Sequence, residues 1–488
     1  MRIAVLSTLA SGGAANAAWR LTRSLADFGH ECSFFILEGS GNPLHIPLQD
    51  NDDAFWCSAL FKRWYALTTP ELRAANAMDF FSDALTAQLI FPLPEAVREA
   101  EVIHLHWVAG MVFSPALLQA MSGKKIVWTL HDANAFTGGC HYTGTCQKFR
   151  AHCRNCPLLK KSGPDDVSTR SFHMKGHLYP LLNPSLVTPS AWLAEEAKNS
   201  ALLGNYPATI IPNPLDMETF RPPQHRPDVR RKLNLPEDAF VILTGCESLD
   251  NPRKNAKALF DALTLLGTQF PDIPVAVLSY GYGHPPELAF PVRHLGYVGD
   301  ETIMAELYGA ADLFIHTSLQ ENLALTLCEA QACGTPTLCF SVGGCPETML
   351  PGKTGFLVAE TTSQALAEKI RAIISECDKL DDMRDAARVF ALERFNPATV
   401  AAAYTKVFEK AEAAPGLKTS DLLFTGLLQN QIASLAFSLH DAYVEQARQH
   451  DSLRQQHDAL QQQLNALRWN LRHPFHWFFR KLRARRLL

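Results

Sequence analysis

Two runs of short apolar strands alternating with amphipathic helices, parted by a proline-rich stretch, constrain this chain more than any single motif does. The first run opens on residues 2–7 (RIAVLS), passes through a helix over 14–28 and reaches a second strand over 31–37. Further strands are predicted at 102–107 (VIHLHW), 125–130 (KIVWTL), 185–190 (SLVTPS) and 208–213 (ATIIPN). Strands that are apolar throughout, rather than at every second residue, belong to a sheet covered on both faces; helices between them make that sheet parallel. Between Pro212 and Pro236 lie Pro214, Pro222, Pro223 and Pro227, and a stretch so short of backbone donors marks a linker. Beyond it the alternation restarts at 240–246 (FVILTGC), a helix over 253–267, strands at 274–280, 311–317 and 335–340, a helix from about 322, and helices to about 412. The expected architecture is α/β: doubly wound domains over 1–212 and 237–412, a linker over 213–236, and a cleft at the carboxyl ends of the strands.

Residues 413–488 read differently, as a helical tail. Leu453, Leu460, Leu464, Leu467 and Leu471 repeat close to a coiled-coil seam, which suits self-association. The last thirty residues hold no acid, and Arg468, Arg472, Arg480, Lys481, Arg483, Arg485 and Arg486 surround Trp469, Phe475, Trp477, Phe478 and Phe479. Such a segment suits an anionic membrane surface; the alternative is a helix on the protein's own body with a solvated basic face. Lys+Arg 45 against Asp+Glu 49 leaves a net charge of −4, too little positive charge for a dedicated nucleic-acid binder. Twelve cysteines in 488 residues are too sparse for a disulfide scaffold and favour a reducing cytoplasm. No apolar run approaches the ~18 residues of a membrane-spanning helix, and residues 3–6 are too short for a secretory apolar core and lead through a glycine turn into a helix.

Three segments carry candidate chemistry. Gly12 and Gly13 sit in the turn between the first strand and helix, where bare backbone lets an anion approach N–H groups; a plain tight turn is the alternative. The G-x-G-x-x-G fingerprint is absent, which disfavours a nicotinamide dinucleotide. Arg253 and Lys254 follow the first strand of the second half and suit a diphosphate, unless they are simply solvated. The most specific segment is 316–330 (HTSLQENLALTLCEA): a strand ends, Glu321 follows, a helix starts and Glu329 lies eight residues on. N–H groups from Asn322 through Leu323 to Thr326 can face an anion while the two carboxylates accept from hydroxyls of a sugar or ribose; the alternative is a helix with charges at its N-terminus.

Cys140, Cys146, Cys153 and Cys156 fall within 17 residues, with His141 and His152 alongside. A structural zinc, reduced loop cysteines and a disulfide or redox loop all fit that spacing. Asp50-Asn51-Asp52 matches D-x-D but follows no strand, and Gly352-Lys353-Thr354 lacks the earlier P-loop glycine, where Glu347 stands.

The chain from 1 to about 412 resembles a GT-B retaining glycosyltransferase of family 4. The residues that carry the resemblance are Glu321 and Glu329 at E-x7-E spacing, the run from Ala332 to Pro336, Gly343-Gly344, Glu347 and the run from Gly352 to Phe356. HLHW (104–107) and TLHDANAFTGGCHY (129–142) look more narrowly like the branch with colanic-acid and other exopolysaccharide enzymes. The resemblance implies two Rossmann-like domains and transfer of a sugar from a UDP- or GDP-sugar to a saccharide hydroxyl, on a lipid-linked acceptor in polysaccharide biosynthesis. It implies no catalytic metal; the sparse cysteines and the basic, aromatic tail add the expectation of a cytoplasmic enzyme peripheral on the inner membrane face. Arg253 and Lys254 would neutralise the donor diphosphate, Glu329 would hold the ribose, and Glu321 with the backbone at Asn322 and Leu323 would hold the sugar. Gly12 and Gly13 would close over the phosphates, and His131 would line the sugar site from the other domain. Cys246 after Gly245 departs from the Gly-Arg that the family often carries. A nucleotide-sugar epimerase or phosphorylase, and a non-catalytic assembly protein that gathers enzymes through its tail, are the competing functions.

Overall fold

The computed structural model describes residues 1–38, 46–47, 81–82, 84, 93–236, 238–271 and 273–416. The tail, with its leucine seam and basic aromatic end, lies outside the described residues, as does Asp50-Asn51-Asp52.

The first domain holds β1 (Arg2–Leu9), β2 (Glu31–Glu38), β3 (Ile46–Pro47), β4 (Val102–Leu105), β5 (Lys125–Thr129), β6 (Ser185–Thr188) and β7 (Ala208–Ile210). Its helices are α1 (Gly13–Asp27), α2 (Glu95–Glu99), α3 (Pro115–Met121), α4 (Val167–Leu182) and α5 (Ala191–Lys198). The linker carries α6 (Arg226–Lys232). The second domain holds β8 (Phe240–Ser248), α7 (Ala256–Gln269), β9 (Val275–Tyr282), β10 (Val292–His294), α8 (Glu301–Ala310), β11 (Leu313–His316), α9 (Leu325–Ala332), β12 (Thr337–Phe340), β13 (Gly355–Val358), α10 (Ser363–Ser375) and α11 (Leu380–Arg394), and α12 (Pro397–Lys410) closes the described chain.

Strand order is β3-β2-β1-β4-β5-β6-β7 in the seven-stranded sheet and β10-β9-β8-β11-β12-β13 in the six-stranded one. Every named pair is parallel, with Ile3 beside Val102 and Leu313 beside Ile242 where the winding reverses. A crevice lies at the carboxyl ends of neighbouring strands in each sheet, β4/β5 in the first and β8/β11 at the reversal of the second, and those crevices position the site. Ala15, Ala18, Leu21 and Leu25 form the buried stripe of α1, spaced at three and four residues, and the last three pack over Ile3, Val5, Phe34 and Ile36 of the sheet.

Two boundaries differ from the sequence expectation. The linker is not all irregular: Pro227 falls in the first turn of α6, where a missing N–H costs nothing. The helical region ending near 412 does not all belong to the second domain. Asn396 caps α12 by accepting from the N–H groups of Ala398 (2.9 Å) and Thr399 (3.3 Å), and Val400, Ala401, Tyr404 and Phe408 then bury themselves in the core of the first domain. The Tyr404 hydroxyl meets the Thr129 hydroxyl at 3.0 Å, and Lys125 donates to the carbonyls of Phe408 and Glu409 at the helix end.

His104 lies beneath that helix, with Nε2 2.8 Å from the Thr129 hydroxyl, and burial pushes its imidazole down to about 3. Above the 6.5 of a free imidazole both folded and unfolded chains are neutral at this position. Between 6.5 and about 3 only the unfolded chain takes up the proton, so stability falls as pH falls. His104→Phe should therefore flatten the loss of the urea midpoint between about pH 7 and about pH 5, by up to about 2 kcal/mol at 1.36 kcal/mol per unit. An unchanged slope would mean that other groups carry the acid sensitivity.

Candidate active site

At the carboxyl ends of β8 and β11, a small crevice is lined by Thr244, Gly245, Cys246, Lys254, His316 and Ser318 among others. Glu321 lies in the loop that follows β11, and its carboxylate gathers the cations predicted from sequence. Arg253 Nη1 donates to it at 2.9 Å, the Lys254 ammonium forms a closer ion pair, the Ser318 hydroxyl donates at 3.0 Å, and His316 Nε2 stands 3.6 Å away. Burial alone would raise the Glu321 carboxyl, but Lys254, His316 and Arg253 outweigh it and hold the group well below the usual carboxylate range. Arg253 is not a solvated surface cation: it is buried and lies 3.9 Å over the ring of Tyr142 from the first domain. Cys246 contributes to the crevice wall, and burial pushes its thiol up.

The loop carrying Glu321 is held by backbone fit. Gly344 N–H donates to the Glu321 carbonyl at 3.0 Å, and a Cβ on Gly344 would stand 1.7 Å from the Asn322 carbonyl oxygen. A Cβ on Gly343, at φ 54°, would stand 2.1 Å from the Glu321 carbonyl oxygen, so the glycine pair is what allows two loops to touch. The helix α9 then starts with no side chain on its cap, Leu323 buried before it and Thr326 half-buried in its first turn. Gly13 faces Leu325 at this helix start from the first domain, where a Cβ would make ordinary contact at 3.9 Å, and Gly12 takes a φ of 96°.

Glu329 does not join the Glu321 cluster. Its Oε1 accepts from Arg20 Nη2 at 2.8 Å and its Oε2 from the Tyr308 hydroxyl at 3.2 Å, a pairing that nothing in the E-x7-E spacing announces. Asn322 likewise turns its side chain to the first domain, donating to the His131 carbonyl at 3.1 Å and accepting from the Ser190 hydroxyl at 2.6 Å. Glu347 accepts from the Ala191 and Trp192 N–H groups at the start of α5, and Gln320 accepts from Gly144 N–H. The two halves of the cleft are thus joined by side chains at several points.

Across the cleft a second crevice, at the ends of β4 and β5, is lined by His106, Trp107, Trp128, His131, Asp132 and Asn134 among others. His131 Nε2 and His106 Nδ1 are 2.8 Å apart with their rings stacked, and burial pushes His131 down to about 4, so it is a neutral ring near pH 7. Sequence reasoning missed the group next to it. Asp132 accepts from Trp107 Nε1 at 2.8 Å, from Asn134 N–H at 2.8 Å and meets His141 Nδ1 at 2.7 Å, while His141 Nε2 reaches the Ser82 hydroxyl at 3.0 Å. Burial would raise the Asp132 carboxyl; His141 and these donors hold it below the usual range instead. The available signal was positional, since Trp107 and Asp132 stand just past the carboxyl ends of the neighbouring strands β4 and β5.

Among the described residues no three His, Cys, Asp or Glu side chains converge as metal ligands. Cys140, Cys146, Cys153 and Cys156 are free thiols; burial pushes Cys140 up to about 12 and Cys153 up to about 11, and the Cys153 sulfur accepts from Gly138 N–H at 3.2 Å. Among the described residues no helix is long and apolar enough to cross a membrane.

The paired sheets facing a cleft define a GT-B fold. Anabaena HepE in complex with UDP matches with a TM-score of 0.55 at 18% identity, covering 84% of this chain and 100% of that one. WaaG, a glycosyltransferase involved in lipopolysaccharide biosynthesis, matches with a TM-score of 0.53 at 15% identity, over 84% of this chain and 100% of that one. Likeness at these identities speaks for the fold alone. In sequence, residues 287–390 match the family described as Glycosyl transferases group 1. A D-inositol 3-phosphate glycosyltransferase of Streptomyces scabiei is 30% identical over 240 residues, 45% of this chain and 52% of that protein. The putative colanic acid biosynthesis glycosyl transferase WcaC of Escherichia coli is 26% identical over 251 residues, 50% of this chain and 59% of that protein. The chain spans about half the length of the curated relatives it matches.

Proposed function

We propose that this protein is a group 1 glycosyltransferase that moves a sugar, with retention and without a catalytic metal, from a UDP- or GDP-sugar to a saccharide hydroxyl. The observation that carries this reading is the cluster of Arg253, Lys254, His316 and Glu321 at the β8/β11 reversal, adjoined by the first turn of α9. HepE, of the same fold, is described in complexes with UDP and with UDP-glucose. Leaving of a nucleoside diphosphate builds negative charge on its phosphate. Arg253, Lys254 and the α9 N–H groups are fixed in advance and need no reorganisation to meet it. Glu321 holds both cations in place beside the first turn of α9. The neutral ring of His131 is suited to hydrogen-bond a sugar hydroxyl. Same-face attack then lets the departing phosphate take the acceptor proton, so no second carboxylate is required across the bond, unlike the paired carboxyls of hydrolases.

The acceptor is proposed to be lipid-linked, in polysaccharide assembly, with the enzyme peripheral on the cytoplasmic membrane face. That part rests on the basic, aromatic residues at 468–486 and on the likeness to WcaC. The test is calorimetry of the full chain with UDP, GDP and their sugars, followed by assay on saccharide acceptors with NMR of the anomeric product. Tight binding of one nucleotide series, transfer that persists in a chelator and a retained anomer are the expected results. Isomerisation or sugar release without acceptor would move the reading to an epimerase or phosphorylase. Binding of none would leave the assembly-protein reading.

A further inference from the structure

The strands β4 and β5 end side by side, and the side chains at their carboxyl ends meet in successive rungs, His104 with Thr129 and then His106 with His131. The second rung reaches the first-domain crevice. Both of its backbones are pinned: His106 N–H donates to the Leu6 carbonyl at 3.0 Å, its carbonyl accepts from Trp128 Nε1 at 3.1 Å, and the His131 carbonyl accepts from Asn322 at 3.1 Å. The stacked rings therefore keep their contact, 2.8 Å from His106 Nδ1 to His131 Nε2. One of those nitrogens carries a proton and the other a lone pair, and the surroundings of His106 decide which. Burial, with His104 and His131 alongside, holds the His106 ring well below the usual imidazole range, so near pH 7 it has a single N–H. Its Nε2 is buried without a hydrogen-bond partner. An orphaned N–H is the costlier of the two ways to leave that nitrogen, so the proton belongs on Nδ1. His104 follows the same rule, with Nδ1 buried and unpartnered and Nε2 at the Thr129 hydroxyl.

Resting on the reading above that gives His131 the sugar, we propose that His106 is a positioning residue that fixes the tautomer of His131: His106 donates from Nδ1, His131 accepts at Nε2, and His131 Nδ1–H is left as a fixed donor to a sugar oxygen. The neighbouring Asp132 is engaged by Trp107, Asn134 and His141 instead. Because the lone pair of the neutral His131 ring is already bonded, that ring cannot take the proton of an acceptor hydroxyl. His131 orients the sugar as a donor only, and the acceptor proton leaves by the departing phosphate. A ring free to exchange its two tautomers would offer a lone pair to the crevice part of the time and repel the same sugar oxygen.

The experiment is long-range proton–nitrogen correlation NMR of the full chain with nitrogen-15-labelled histidine, the His131 signals being assigned by their loss in His131→Gln. Near pH 7 the wild type should show a protonated Nδ1 and a bare Nε2 at His131. His106→Leu removes the donor; it should mix the two His131 tautomers and lower kcat/KM of sugar transfer about 10-fold, the upper end for one hydrogen bond. His106→Asn, whose amide N–H stands in for the lost Nδ1–H, should restore the single tautomer and bring transfer back to within about 3-fold of wild type. A thermal unfolding curve for each variant separates this from a packing role, in which transfer would follow the melt and not the tautomer. A wild-type His131 with its proton on Nε2, or an even mixture, would overturn the assignment without any variant having to fold. So would a mixed tautomer in His106→Leu with wild-type transfer. A chain that transfers no sugar would overturn the sugar reading of His131, a separate failure, and the wild-type spectrum would still uphold or refute the His106 bond by itself.

Discussion

Lys254→Ala is expected to reduce sugar transfer by about 10²–10³-fold in kcat while leaving the fold intact. The magnitude is that of removing one fixed donor aimed at developing negative charge in a site closed to water, about 2.7–4 kcal/mol. The fold survives because Glu321 keeps Arg253 Nη1 at 2.9 Å and the Ser318 hydroxyl at 3.0 Å, so no buried charge is stranded. Glu321→Ala would be the less informative change, since it removes the partner of two cations at once and mixes stability with catalysis. The assay is steady-state transfer beside a thermal unfolding curve. Wild-type transfer with an unchanged melt would remove Lys254 from the machinery and with it the proposed diphosphate site.

Asp312→Ala should destabilise the second domain by about 3–5 kcal/mol, the largest stability effect expected outside the cleft. Asp312 accepts from Arg226 and Arg230 at 2.5 Å each, from Arg384 at 3.0 Å and from Val241 N–H at 2.7 Å. One carboxylate thus ties the linker helix α6, the strand β8 and the helix α11 together. Its loss leaves three partly buried guanidinium groups and a backbone donor without their acceptor. Burial would raise this carboxyl, but Arg226 and Arg230 lower it overall, below the 3.8 of a free aspartate. The stabilisation is therefore complete above that value and lost as pH falls through the lower folded one. Urea unfolding near pH 7 measures the effect; a change under about 1 kcal/mol would class the cluster with exposed pairs of little worth.

How much of this was legible beforehand depends on the range of the interaction involved. The buried strands at 2–7 and 240–246 could be read from their apolar runs because a strand covered on both faces is apolar at every position between its turns. The short strands β10 and β13 could not: Val292–His294 carries Arg293 and His294 in place of an apolar run, and Gly355–Val358 follows directly on the glycine turn at Gly352. Helices expected from 253 and 322 begin at Ala256 and Leu325 because turns precede them, with Asn255 in the left-handed region before α7. The cations at 253–254 and the carboxylate at 321 were visible as residue types at the ends of strands. Their convergence on one carboxylate follows from parallel neighbours β8 and β11, whose carboxyl ends are side by side.

The sequence by itself determined the two parallel sheets, the cleft between them and the chemical character of its second-domain wall, because period, proline placement and strand-end residues are local properties. Tertiary structure alone decided which groups meet across 100 residues or more. It set α12 on the first domain, Glu347 at the start of α5, and Arg20 on Glu329. Those pairings are made by docked surfaces, and no local pattern encodes which buried carboxylate a distant guanidinium will find.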